Sequence, residues 1–273
     1  FGPLVDHSAT TDSSTADSLT SSSQQADGLL NHLSTGSGSW CAPPVVRAMI
    51  AARLQALAQG RSAVHLSVFD ALLDLLRLPL TPAVPEIGSL GASGDLTPLA
   101  HVARVLTGEG HVLTDDGSTQ PAADALRAAG RDPVSLDRRD ALALVNGTAF
   151  MTGLAALGLS RAERLVERAE RLTGWAYRVL GCSLEALDDR LHEARGHAGQ
   201  RESAAVIRSE ATRHGPAERE DRPLQEVYSL RTAPQILGAA RDQLRTVRQT
   251  VTTELNGVAF REDARVDQFP DDR

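Results

Sequence analysis

Lysine is missing from this chain of 273 residues, so all 28 of its basic side chains are arginine. Without a lysine amine this chain cannot form a lysine Schiff base with pyridoxal phosphate (PLP) or with a carbonyl substrate. Aromatic side chains are scarce, at 3%, which weighs against a β-sandwich and favours helices packed through alanine and leucine. The two cysteines, Cys41 and Cys182, lie far apart in no CxxC or zinc spacing, so they read as buried or free thiols in a reducing, cytoplasmic setting. No run of about 20 apolar residues suggests a membrane span, and no charged-then-apolar start suggests a leader. A net charge of −7 without any basic stripe argues against a nucleic-acid surface.

What is there suffices for a globular core: 41% hydrophobic against 23% charged residues, in a pattern that is mainly α. Residues 11–25, dense in Ser, Thr and Asp, read as a loop or as a helix start. After Pro43-Pro44, Val46, Ile50, Leu54 and Leu57 recur at helical spacing, with Gly60 as a stop, and Val68, Leu72, Leu75 and Leu76 mark the next helix. Pro79 and Pro82 lead into a glycine-rich loop, after which Asp95 or Thr97 is placed to cap a helix with Pro98 in its first turn. Residues 111–114 and the turn at 115–117 suggest a short strand, and residues 121–129 a brief helix stopped by Gly130. From Asp140 the helical pattern runs on past Asn146-Gly147-Thr148 to Leu172, and a last helix from Ile236 to Leu255 ends at Asn256-Gly257.

The chemistry sits at Ala92-Ser93-Gly94, inside Gly88-Ser-Leu-Gly-Ala-Ser-Gly-Asp-Leu-Thr-Pro-Leu-Ala-His101. If the Gly94 nitrogen reaches the Ala92 carbonyl, ring closure and loss of two waters give a 4-methylidene-imidazole-5-one (MIO), an acceptor for amines. Glycine tolerates the dihedrals required, alanine adds little bulk, and the serine hydroxyl leaves as water. A glycine-rich anion nest at a helix start is the plain alternative.

The run from Val84 to His101 resembles the signature of the MIO-dependent aromatic amino acid ammonia-lyases and aminomutases, with tyrosine ammonia-lyase the nearest likeness. Two further segments are similar to motifs of that family in the same order: Ala141-Leu-Ala-Leu-Val-Asn146-Gly-Thr148, and Tyr228-Ser-Leu-Arg231-Thr-Ala-Pro-Gln235. The resemblance implies a long-helix bundle with an MIO-bearing loop domain, like the fumarase/aspartase superfamily. Residues 1–150 would be the MIO-bearing domain and residues 151–273 the first part of the central bundle, truncated at both ends.

By this resemblance Asn146 contacts the electrophile and the substrate, an Asn-Gly turn being the alternative. Arg231 would hold the substrate carboxylate with paired donors. Tyr228 resembles the second active-site tyrosine and would position or relay a proton. Gln225 and Gln235 would add amide contacts. His32-Leu33 resembles the pair that selects substrate in tyrosine lyases, the alternative being a partly exposed helix histidine. His192 and His197 are five apart, not the zincin four, so no metal is assigned and their segment reads as a structural loop.

The implied reaction is addition of an aromatic L-amino acid to the methylidene carbon, removal of the β-proton, and loss of ammonia to an α,β-unsaturated acid. Tyrosine stands ahead of histidine and phenylalanine, and an aminomutase that returns the amine to the β-carbon is also open. The full-length protein would be a homotetramer with a small amino acid as its only partner, without nucleic acid, membrane, metal or PLP. Phe1-Gly2 looks like the tail of the family's Thr-Gly-Phe-Gly loop, so the tyrosine that serves as base lies outside these residues. Gly257-Val-Ala likewise departs from the Ser/Thr-Asp-Asn-Pro that follows in the family, and a non-catalytic partial subunit is the competing expectation.

Overall fold

A helix rather than a loop opens the described chain. The structure is a computed structural model that describes residues 15–91, 95–215, 219–221 and 224–257. α1 (Thr15–Leu33) is rich in serine, yet Ala26, Leu29 and Leu30 are buried and Leu33 half-buried along one side. That burial outweighs the weak helix propensity of serine and decides between the two readings of residues 11–25 where they are described.

The chain divides into two compact units, one within Phe1–Ala155 and Thr253–Arg273, the other Ala156–Thr252. In the first, β1 (Ser37–Trp40) precedes α2 (Pro43–Leu57), which starts on two prolines, and α3 (Leu66–Arg77). β2 (Thr81–Pro82) and β3 (Pro85–Ile87) lead to the glycine-rich loop and α4 (Leu96–Leu106). β4 (His111–Leu113), β5 (Thr119–Pro121), α5 (Ala122–Ala128) and α6 (Arg138–Val145) follow, before α7 (Ala149–Leu180). β1 pairs antiparallel with β3, Trp40 opposite Pro85, and β2, β4 and β5 form a second antiparallel sheet. Met49, Ile50, Leu72, Leu75, Val102 and Val145 lie in the core, each 2% exposed or less. The expected continuous helix from Asp140 is corrected to two, α6 and α7, interrupted at Asn146-Gly147-Thr148. A capping box between Asp137 and Asp140 starts α6.

The second unit holds the rest of α7, a single 3₁₀ turn (Glu185–Leu187), α8 (Asp189–Arg195), α9 (Ala198–Thr212), α10 (Tyr228–Arg231) and most of α11 (Ala233–Asn256). Tyr177, Leu187, Ile207 and Ala211 pack at its centre. Glu170 is fully buried there, and two bonds of 2.6 Å from Arg241 with one of 2.6 Å from Ser203 compensate its desolvation. A Cβ on Gly199 would collide with the Gly238 carbonyl oxygen, so glycine on both helices lets α9 and α11 meet backbone to backbone.

His192 lies on α8 and not in the expected loop; Gly196, at φ 73, closes the helix. Its Nε2 donates to the Ala186 carbonyl at 2.9 Å, and its Nδ1 accepts from the Gln200 amide at 2.8 Å. A carbonyl only accepts, which fixes the tautomer and gives this buried histidine a packing role. The stretch Arg138–Leu180 contains one window apolar and long enough to cross a membrane by length and composition alone. Its window has a mean hydropathy of 1.6 and is 56% buried inside the protein, as a core helix would be.

Candidate functional site

Ala92, Ser93 and Gly94 lie outside the described residues, but the backbone on both sides of them is held in a tight bend. Ser89 donates its hydroxyl to Asp95 Oδ1, and the Gly91 N–H donates to Ser89 Oγ at 3.2 Å. Six residues in extended form would span about 20 Å, so this side-chain bond holds Ser89 and Asp95 closer than an extended chain would place them. Gly91 takes φ 72, and a Cβ on Gly88 would stand 2.7 Å from Thr97 Cγ2, so both positions need glycine. The three small residues between these tied flanks fit the imidazolone by their chemistry, while the Gly94 nitrogen and the Ala92 carbonyl that would join lie outside the described residues.

Asp95 is fully buried, although the sequence reading gave it only a capping role. It occupies the N-cap position of α4 but makes no cap bond with its side chain. Its Oδ2 instead accepts the Met151 N–H at 2.9 Å, in the first turn of α7. The glycine-rich loop and the Asn146-Gly147-Thr148 turn are thereby joined through one carboxylate.

Asn146 is buried at the C-terminal cap of α6, its N–H bonded to the Leu142 carbonyl at 3.0 Å. The Thr148 hydroxyl donates to Glu254. His32 is exposed in the last turn of α1, while Leu33 is half-buried against the core. The segment after them reaches the loop's supports: a Cβ on Gly36 would lie 3.1 Å from Pro85 and 3.2 Å from His101 Nε2. That nitrogen is buried without a hydrogen-bond partner among the described residues, and burial, then the charge of Arg104, holds the ring below the usual imidazole range.

In the second unit Arg231, half-buried, donates from Nη1 to Gln225 Oε1 at 2.7 Å and lies 5.8 Å from the centre of the exposed Tyr228 ring. Gln235 sits in the first turn of α11 with its Oε1 buried and unpartnered among the described residues. Three of the four candidates from this segment are therefore brought together by side-chain contacts.

Among the described residues one group, His65 with Asp137 and Asp140, gathers possible metal ligands. Asp140 Oδ1 accepts the His65 N–H and Oδ2 accepts Nδ1–H, both at 2.9 Å, and this bond raises the His65 pKa. The same aspartates form the capping box of α6, so the group serves a helix start. Sequence reasoning missed two residues here. Asp95 carried no signal beyond its cap position, whereas Arg53 interrupts the apolar stripe of α2 between Ile50 and Leu57, a sign available in the sequence.

The family model for aromatic amino acid lyases matches residues 1–259. The chain is 43% identical over 237 residues to a probable histidine ammonia-lyase of Halobacterium salinarum, covering 85% of this chain and 44% of that protein. It is 42% identical over 250 residues to a tyrosine ammonia-lyase of Cupriavidus metallidurans, covering 84% and 47%. Among solved structures, a tyrosine aminomutase from Streptomyces globisporus aligns with a TM-score of 0.79 at 36% identity, over 88% of this chain and 49% of that one. The chain spans about half the length of the curated relatives it matches.

Proposed function

The chain belongs to the aromatic amino acid lyase family, and from this we propose that it carries the electrophile of an enzyme that eliminates ammonia from an aromatic L-amino acid, with tyrosine preferred. The observation that carries the reading is the loop closed from Ser89 to the buried Asp95 and tied on to Met151, which brings two of the three motif segments together. The imidazolone from Ala92, Ser93 and Gly94 would supply an electrophilic carbon for the substrate amine, which turns a poor leaving group into a better one.

The chain's own residues supply the rest. Arg231 presents paired N–H donors to the substrate carboxylate, with its plane steadied by Gln225 and the Tyr228 ring. The Tyr228 hydroxyl holds or passes a proton near the reacting carbon, beside the Arg231 guanidinium. Asn146 both donates and accepts, which orients the amine. Gln235 lends an amide contact. His32 accepts or donates a hydrogen bond to a ring hydroxyl, which distinguishes tyrosine from phenylalanine. Large apolar side chains stand exposed along α7 at Leu165, Leu172, Trp175 and Val179, a spacing of three, four and seven that supports assembly into a homotetramer.

A second reading, migration of the amine to the β-carbon, is favoured by the likeness to the tyrosine aminomutase. The test incubates the assembled enzyme with tyrosine, phenylalanine and histidine, follows ultraviolet absorbance of the unsaturated acid, and analyses the products for β-amino acid. Tyrosine is expected to turn over fastest, and His32→Phe to shift preference toward phenylalanine. Selective turnover of histidine contradicts the substrate assignment, and a dominant β-amino acid product moves the protein to the second reading.

A further inference from the structure

We infer that Arg53 is a positioning residue that sets the geometry of the Asn146-Gly147-Thr148 turn, an inference that rests on the reading of Asn146 as an active-site amide. Arg53 sits in α2 on the side that also buries Val46, Met49, Ile50 and Leu57, and it is 2% exposed. Its Nη2 donates to the main-chain oxygen of Ala143, and its Nε has no hydrogen-bond partner among the described residues. It forms no ion pair with a described carboxylate, although Glu254 lines a small cavity with it and bonds Thr148, and desolvation pulls the Arg53 pKa down to about 10, so it remains a cation at neutral pH.

Burying a charge in this way costs stability, and an aliphatic side chain of similar volume would commonly serve the core as well or better. The consequence of the arginine lies in what it touches. Ala143 belongs to the last turn of α6, which ends at Val145. Carbonyls in a final turn lack intrahelical donors. The Leu142 carbonyl is satisfied by the Asn146 N–H, and the Ala143 carbonyl is satisfied by Arg53. A positive charge at this end also complements the helix dipole. The same side chain lines a cavity of about 20 Å³ together with Thr148, Ala149 and Thr152, the start of α7. One buried cation thus bonds the end of α6 and shares a small cavity with the start of α7, and a guanidinium held by the core fixes where the Asn146 amide stands.

Arg53→Met, Arg53→Lys, Asn146→Ala and the double variant Arg53→Met/Asn146→Ala are compared in the assembled enzyme, with intact mass and melting temperature read beside kcat and KM. A displacement of about an ångström at a positioned group costs on the order of 100-fold in rate. Arg53→Met is therefore expected to lose about that factor in kcat with KM little changed and the loss of two waters retained, Arg53→Lys to lose less, and the double variant to be no slower than Asn146→Ala. A melting temperature lowered with kcat intact overturns the inference, as do losses that multiply in the double variant. If Arg53→Met does not fold, Arg53→Lys decides: a loss in kcat that disappears in the Asn146→Ala background supports the positioning role, and unchanged kcat or a multiplying loss overturns it. Failure of the underlying site reading looks different, because Asn146→Ala would then keep the wild-type kcat or the wild type would retain both waters.

Discussion

The carboxylate of Asp95 has both oxygens engaged at zero exposure, one by the Ser89 hydroxyl and one by the Met151 N–H. Truncation to alanine removes two hydrogen bonds to a charged acceptor from the half-buried Ser89 hydroxyl and the Met151 N–H, at a cost of about 1–3 kcal/mol in all. Asp95→Ala is expected to lower the urea midpoint accordingly, and a midpoint equal to that of the wild type would show that the carboxylate does not hold the loop to α7. At this scale the sequence revealed residue types and concealed partners. An aspartate one residue before a helix reads as a cap, and only the fold brings in Met151, 56 residues further on. Asn146 was legible because an Asn-Gly dipeptide interrupts a run of apolar residues, but its burial was not.

Helices were read correctly where apolar spacing is regular, as in α2, α3, α5 and α11, and misjudged where tertiary packing decides. α1 is helical despite its serines because Ala26, Leu29 and Leu30 fall together on a buried side, and α7 begins anew after the turn instead of continuing α6. Two glycines test this account of packing. A Cβ on Gly153 would lie 2.8 Å from the Met49 amide nitrogen, backbone that cannot yield, whereas one on Gly28 in α1 meets nothing within 4 Å. Gly153→Ala is expected to destabilise by about 1–3 kcal/mol through overpacking, and Gly28→Ala to stabilise by roughly 0.5–1 kcal/mol through reduced chain entropy. Thermal unfolding of both variants checks the pair, and equal shifts in one direction would contradict the close approach of α2 and α7.

For the molecule as a whole, the described residues hold two of the three motif segments in the first unit and the third in the second. Composition foretold the helical character, and the absence of lysine leaves these 273 residues without an amine side chain for Schiff-base chemistry. Substrate choice was less legible, because the one sign proposed for it is an exposed histidine at position 32, and relatives at 43% and 42% identity are named for histidine and for tyrosine. The central claim is that Ala92, Ser93 and Gly94 fuse into a ring. High-resolution intact-mass measurement of the assembled, folded protein tests it most directly: a mass lower than that of the translated sequence by two waters is expected, with the deficit confined to the peptide that contains residues 92–94, and an undiminished mass would contradict the account.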